Sequence, residues 1–157
     1  MSSNISLASL PYITRETLAE KLKQSTSTSS TSLAIIDVRD SDHVGGHIKG
    51  STWVPISTLE HKTPELVRTL RDKDVVVFHC ALSQQRGPGA ALRYLREKER
   101  LDGKKVTEEK KEEEGEKEEG TQRVYVLKGG FTEWQEKYGE DGQLTEGYEK
   151  DVWKFGS

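Results

Sequence analysis

Cys80 and Arg86 stand six residues apart in the stretch Val75-Val76-Val77-Phe78-His79-Cys80-Ala81-Leu82-Ser83-Gln84-Gln85-Arg86-Gly87-Pro88-Gly89, and Cys80 is the one cysteine of the 157-residue chain. This H-C-x5-R spacing can perform nucleophilic chemistry on an oxyanion. Backbone N–H groups that curl between a strand and a helix start converge on one point and form an anion nest. Arg86 closes such a nest with a planar fork that matches two oxygens of a tetrahedral anion. The loop amides, the helix dipole and the guanidinium all favour a thiolate at Cys80. A thiolate facing the bound anion is placed for in-line attack. Arg86 and the amides of Ala81, Leu82, Ser83, Gln84 and Gln85 would then hold the charge on the equatorial oxygens. A lone cysteine is more often a small buried hydrophobe, so the reading depends on what flanks it.

The flanking elements have the right order. Four apolar residues, Val75 to Phe78, three of them β-branched, make a short buried strand. Pro88 suits a first helical position, where its missing N–H costs nothing, and Ala91, Leu92 and Leu95 supply an apolar stripe. Upstream, Thr14 caps a first helix and Ile13 staples onto Leu18. Leu33–Val38 is a second buried strand, ending in Asp37-Val38-Arg39-Asp40. A glycine-rich turn, His43–Ser51, leads to a short strand, Thr52–Val54, stopped by Pro55. Thr63-Pro64-Glu65 reads as a cap, a first-position proline and a first-turn acid, opening a helix that carries Leu66, Val67 and Leu70. Downstream, Arg123–Leu127 is a strand, Lys128-Gly129-Gly130 a turn, and Phe131–Tyr138 a helix with Phe131, Trp134 and Tyr138 on its core face. The tail packs back through Tyr148, Trp153 and Phe155. Strands alternating with helices imply an α/β fold, a central parallel sheet with helices on both faces. Ligands bind beyond the carboxyl ends of such strands, where Cys80 lies.

Composition narrows the function further. A tail, 1–10, precedes a single domain, 11–157. Within the domain, a Ser/Thr tract at 25–32 reads as a flexible connector. The segment 103–121 carries eight acids against five bases, which accounts for the whole formal net charge of −3, and reads as a solvated surface insertion. One cysteine rules out an internal disulfide framework and leaves an oxidised Cys80 without a resolving partner in this chain. A reducing compartment is the expected home: the cytoplasm, with the nucleus as a second. No signal peptide, membrane span or basic stripe with interleaved aromatics is legible, so neither membrane nor nucleic acid is an expected partner. His43 and His47 have the spacing of metal ligands on a helix, but glycines lie between them and no third ligand suggests itself. They read as structural histidines bonded to the backbone. No metal and no cofactor is expected.

Four separate stretches carry a resemblance. Ile35-Ile36-Asp37-Val38-Arg39, Gly45-Gly46-His47-Ile48-Lys49-Gly50, the His79-Cys80 loop with Arg86-Gly87-Pro88, and Val126-Leu127-Lys128-Gly129-Gly130-Phe131 together resemble a rhodanese-fold domain. The likeness is to the branch of M-phase inducer phosphatases and fungal arsenate reductases, in particular its small single-domain fungal phosphatases. It runs from about Leu10 to the C-terminus, apart from the acidic insertion. The resemblance implies a Cys80 nucleophile, an oxyanion loop from Ala81 to Gln85, and Arg86 as the clamp. Sulfurtransferases of this fold have four residues between Cys and Arg; the five here go with phosphate or arsenate.

The implied activity is a cysteine-dependent phosphatase acting on phosphoproteins through a phosphocysteine. The alternative is an arsenate reductase that borrows glutathione or glutaredoxin as external reductant. A sulfurtransferase and a non-catalytic phosphate-binding module are further alternatives. Two departures stand out. The cell-cycle enzymes carry an acid where this chain has Gln85, which has no proton to donate. The leaving-group proton then comes from elsewhere, from water or from an already protonated substrate oxygen, with Asp40 one candidate. Arsenate-reductase relatives tend to have a glycine and a lysine within the loop, which Leu82, Gln84 and Gln85 do not match.

Overall fold

The computed structural model of the chain describes residues 10–27, 32–83, 85–112 and 122–155. In order the elements are β1 (Tyr12–Ile13), α1 (Arg15–Ser27), β2 (Leu33–Asp37), β3 (His47–Ile48), β4 (Thr52–Trp53), a 3-10 turn (Ile56–Thr58), α2 (Leu59–Thr69), β5 (Val75–His79), α3 (Arg86–Glu112), β6 (Arg123–Leu127), α4 (Gly130–Tyr138), β7 (Thr145–Glu146) and α5 (Lys150–Phe155).

Alternation along three apolar strands builds the core. Ile36 of β2, Val76 and Phe78 of β5, and Val124 and Val126 of β6 join one cluster with Leu66 and Val67 of α2 and Ala90, Ala91 and Tyr94 of α3. Their neighbours Ile35, Val77 and Leu127 join the other, with Leu18 and Leu22 of α1 and Phe131 and Trp134 of α4. A strand turns successive side chains to opposite faces, so a sheet apolar on both faces has to be covered twice. The five strands run in the order β1-β6-β5-β2-β4, and every neighbouring pair is parallel. This is the α/β architecture expected from the sequence. From β2 the chain moves outward to β4, then returns to place β5 on the other side of β2. The carboxyl ends of β2 and β5 therefore flank the point where strand order reverses, the usual crevice for a ligand.

Local signals were met in most places. Thr14 caps α1, its Oγ1 accepting the Thr17 N–H at 3.1 Å. The tail packs back as expected: Trp153 lies 5.5 Å from the Phe131 ring, and the Tyr148 hydroxyl donates to Gln135. The Phe155 side chain falls outside the described residues.

Several element boundaries differ from the local signals, and the Thr63-Pro64 cap is not formed. Helix α2 begins at Leu59, five residues before Pro64, because the 3-10 turn after Pro55 starts the winding early. Thr63 is therefore no cap; its hydroxyl donates back to the Leu59 carbonyl inside the helix. Helix α3 starts at Arg86, so Pro88 is its third residue, still within the turn whose N–H groups lack helical partners. That helix runs on to Glu112, carrying helical backbone into the first part of the 103–121 segment, whose Lys and Glu residues are good helix formers. Likewise α1 extends to Ser27, into the 25–32 tract. Residues 28–31 and 113–121 lie outside the described part of the chain. Among the described residues no helix is long and apolar enough to cross a membrane.

Candidate active site

The Cys80 loop leaves the carboxyl end of β5 and enters α3. Its backbone is oriented from outside, by the start of α4. The Cys80 carbonyl accepts the Phe131 N–H at 3.0 Å and the Ala81 carbonyl accepts the Thr132 N–H at 2.9 Å. All described peptide bonds are trans, and in a trans peptide the N–H points opposite the C=O. The N–H groups of Ala81 and Leu82 are thereby turned away from α4. Two residues on, the Ser83 N–H donates to Cys80 Sγ at 3.1 Å. Ser83 reaches this position in the left-handed region, at φ 59°, and its hydroxyl accepts the Cys80 N–H at 3.4 Å.

Two glycines permit this packing. A Cβ on Gly130 (φ +61°) would fall 2.6 Å from the Cys80 carbonyl oxygen and closer still to that of Ala81. A Cβ on Gly87 would crowd the Ser83 hydroxyl and the His79 backbone, each at 3.3 Å. Both glycines were visible in the sequence, as part of a turn and of a helix entry. Their closeness to the Cys80 loop is a tertiary fact.

Beneath the loop lies a buried polar frame. Arg39 grips Asp37 through Nε at 3.0 Å to Oδ1 and Nη2 at 2.7 Å to Oδ2, and both side chains are fully buried. The remaining guanidinium donors reach the carbonyls of Val44 and Gly46, and the cation sits 4.5 Å over the Phe131 ring. Burial works to raise the Asp37 carboxyl, while His79 and the bonds from Arg39 lower it, and it ends below the usual carboxylate range. Burial dominates at His79 and lowers it below the usual imidazole range, despite the nearby Asp37 charge. With His79 neutral, Arg39 is the partner that keeps Asp37 ionised. The His79 ring meets the Cys80 carbonyl through Nδ1 at 3.0 Å, which requires a proton on Nδ1. Its Nε2 is left without a hydrogen-bond partner, 3.9 Å from Asp37 Oδ2.

Arg86 stands at the start of α3 with its fork engaged. Nη1 and Nη2 donate to the two carboxylate oxygens of Asp42 at 2.9 and 2.7 Å. Those hydrogen bonds, opposed by partial burial, hold the Asp42 carboxyl down at about 2. They also raise Arg86, with smaller contributions from the charges of Cys80 and Asp40. Sequence reasoning missed Asp42; no spacing signal ties it to a residue 44 positions away. The acid it considered, Asp40, instead accepts the Ser57 N–H at 3.1 Å and so braces the 3-10 turn. An open groove of about 350 Å³ runs beside Arg86, walled by Ile56, Leu59, Glu60, Gln85 and Arg93. Of the loop expected to hold an oxyanion, Leu82 is exposed, Cys80 and Ser83 are buried, and Gln84 falls outside the described residues.

Both histidines have side-chain neighbours. His47 Nε2 meets Glu146 Oε1 at 3.0 Å across the β3–β7 pair, and His43 Nε2 lies 3.5 Å from Asp37 Oδ2. His43 stacks on Trp53 with centroids 4.3 Å apart. Among the described residues no group of three or more His, Cys, Asp or Glu could hold a metal.

Comparison with known proteins places the chain among relatives of one fold. The family model for the Rhodanese-like domain matches residues 14–137. The CDC25-like phosphatase YCH1 of Saccharomyces cerevisiae is 36% identical over 131 residues, 76% of this chain and 77% of its own. The solved structure of Ygr203w, a yeast protein tyrosine phosphatase of the Rhodanese family, is 32% identical. It superposes with a TM-score of 0.66 over 96% of this chain and 99% of its own. The As-Sb reductase of Leishmania major is 33% identical with a TM-score of 0.65, over 84% of this chain and 81% of its own.

Proposed function

The chain belongs to the rhodanese-like domain family, and from that premise we propose that it is a cysteine-dependent phosphatase acting on phosphoproteins, with tyrosine or dual specificity, through a phosphocysteine. The similarity to phosphatases of the fold supports the activity. The observation that carries the assignment to this loop is the Ser83 N–H aimed at Cys80 Sγ, within a loop whose first carbonyls are tied outward to α4.

In this reading the Cys80 thiolate attacks phosphorus in line with the leaving oxygen. The amides of Ala81 to Gln85 and the Arg86 fork hold the equatorial oxygens as charge redistributes. Water then hydrolyses the phosphocysteine. Five residues between Cys80 and Arg86 make a nest for phosphate. The groove beside Arg86 offers room for the chain around a phosphorylated residue. The chemistry needs a reduced thiol, which fits a cytoplasmic or nuclear setting.

The test is hydrolysis of p-nitrophenyl phosphate under reducing conditions with Cys80→Ser as control. Turnover in the wild-type protein that disappears in the variant is the expected result. Because Cys80 is the chain's single cysteine, alkylation reports on it alone, and arsenate should protect it.

A second reading, arsenate reduction, is favoured by the similarity to the Leishmania major reductase and by a chain that must borrow every other thiol. There the same nest takes arsenate, and glutathione or glutaredoxin completes the reduction. Arsenite release that depends on those thiols, without phosphatase turnover, would select it.

A further inference from the structure

The phosphatase reading leaves one proton without a source. A departing alkoxide or phenolate needs a donor, and Gln85 has none to give. Four other groups near the loop could be considered. Asp37 is buried against Arg39. His79 is buried, kept neutral, and occupied with the Cys80 carbonyl through its one protonated nitrogen. Asp40 braces the Ser57 N–H. Glu60 lines the groove from α2. Asp42 alone among the described residues lies directly on the Arg86 fork, with one oxygen on each terminal nitrogen.

That fork is the one an oxyanion would use. A carboxylate presents two oxygens to a guanidinium much as a phosphoryl group does, so Asp42 and a bound substrate compete for the same two donors. We propose that Asp42 is the catalytic proton donor: it holds Arg86 in the free protein, is displaced when the oxyanion takes the fork, and then protonates the leaving oxygen. The assignment rests on the phosphatase reading above. Its physical basis is an exchange of neighbours. In the free protein a cation stabilises the Asp42 carboxylate. Once displaced, Asp42 faces a bound anion instead, which favours its protonated form. The acid becomes available only when there is a substrate to use it.

The steps balance. The S–P bond forms between Cys80 Sγ and phosphorus. The P–O bond to the alcohol or phenol breaks with its electron pair on oxygen, which takes the Asp42 proton. Water then attacks phosphorus, the S–P bond breaks with its pair returning to sulfur, and the Asp42 carboxylate accepts the water proton. After phosphate leaves, Asp42 gives up that proton to solvent and re-engages Arg86.

The experiment compares p-nitrophenyl phosphate, whose leaving group needs little protonation, with phenyl phosphate, whose leaving group needs it. In Asp42→Asn the ratio of kcat/KM values for the two should rise by ~10²-fold over wild type, the usual contribution of a general acid. In Glu60→Gln it should stay at the wild-type value. Arsenate protection of Cys80 from alkylation should persist in Asp42→Asn, at equal or lower arsenate concentration, because the fork is uncontested. An unchanged ratio in Asp42→Asn, or a rise in Glu60→Gln instead, overturns the proposal. A measurement on the wild-type protein alone guards against a variant that fails to fold. Across a series of aryl phosphates, kcat/KM should fall only shallowly with leaving-group basicity, and a steep fall overturns the assignment. No wild-type turnover of p-nitrophenyl phosphate at all is a different result: it removes the phosphatase reading, and the donor role with it.

Discussion

Gly130 and Cys80 touch through their backbones: a Cβ at Gly130 would stand 2.6 Å from the Cys80 carbonyl oxygen. The start of α4 thus acts as a template for the outer wall of the Cys80 loop, and the absence of a side chain at Gly130 is a condition of the loop's shape. The contact joins two of the four stretches on which the family resemblance rests.

Gly130→Ala should therefore damage the site more than its distance in sequence suggests. The new Cβ meets backbone rather than a side chain that can swing aside, and alanine is strained at φ +61°. A loss of roughly 2 kcal/mol is expected, seen as a drop in melting temperature of about 4–8 °C. Arsenate protection of Cys80 should weaken in parallel. A variant with wild-type stability and protection would show that α4 does not shape the loop.

Arg86→Lys tests the clamp. Lysine keeps the charge but presents a point rather than a fork. Losing a charge-assisted hydrogen bond of about 1.5–3 kcal/mol should raise the arsenate concentration needed to protect Cys80 by roughly ten- to a hundredfold. Equal protection would mean that the anion rests on loop amides alone.

The buried frame under the loop gives a stability prediction. Replacing Arg39 by Met leaves Asp37 charged and buried without its partner, at a cost of about 3–5 kcal/mol. Arg39→Met combined with Asp37→Leu should be less destabilised than the single Arg39→Met variant. Urea unfolding of the two single variants and the double variant measures the coupling. Additive losses would argue that the pair is not energetically linked.

His79 should make the fold acid-sensitive well above the carboxylate range. Its folded value lies below the usual 6.5 because of burial. The unfolded chain binds a proton near that pH which the folded protein refuses, so stability falls as pH drops below about 6.5. His79→Asn keeps a donor near the Nδ1 position for the Cys80 carbonyl and removes the titration. Its unfolding free energy should change less between pH 7 and 5 than that of the wild type. His43, also lowered chiefly by partial burial, leaves part of the slope in place. An identical slope in the variant would show that His79 already carries its proton in the fold.

The sequence by itself determined the sheet, its two covered faces and the place of the Cys80 loop at the end of a central strand. These follow from period-two apolar strands, helical stripes and turn residues, signals read within a few positions of one another. It also singled out Cys80 and Arg86, because their spacing lies within one loop. Tertiary structure decided the rest. That Gly130 templates the loop, that the Arg39 guanidinium sits over the Phe131 ring, and that Asp42 rather than Asp40 occupies the Arg86 fork are contacts between segments the chain brings together only by folding. The start of α2 departs from its local signal for a related reason: Pro64 is a common opening residue, but the 3-10 turn after Pro55 begins the winding before it. Local patterns record what each segment prefers, whereas partners across a crevice are set by how strands β2 and β5 lie side by side.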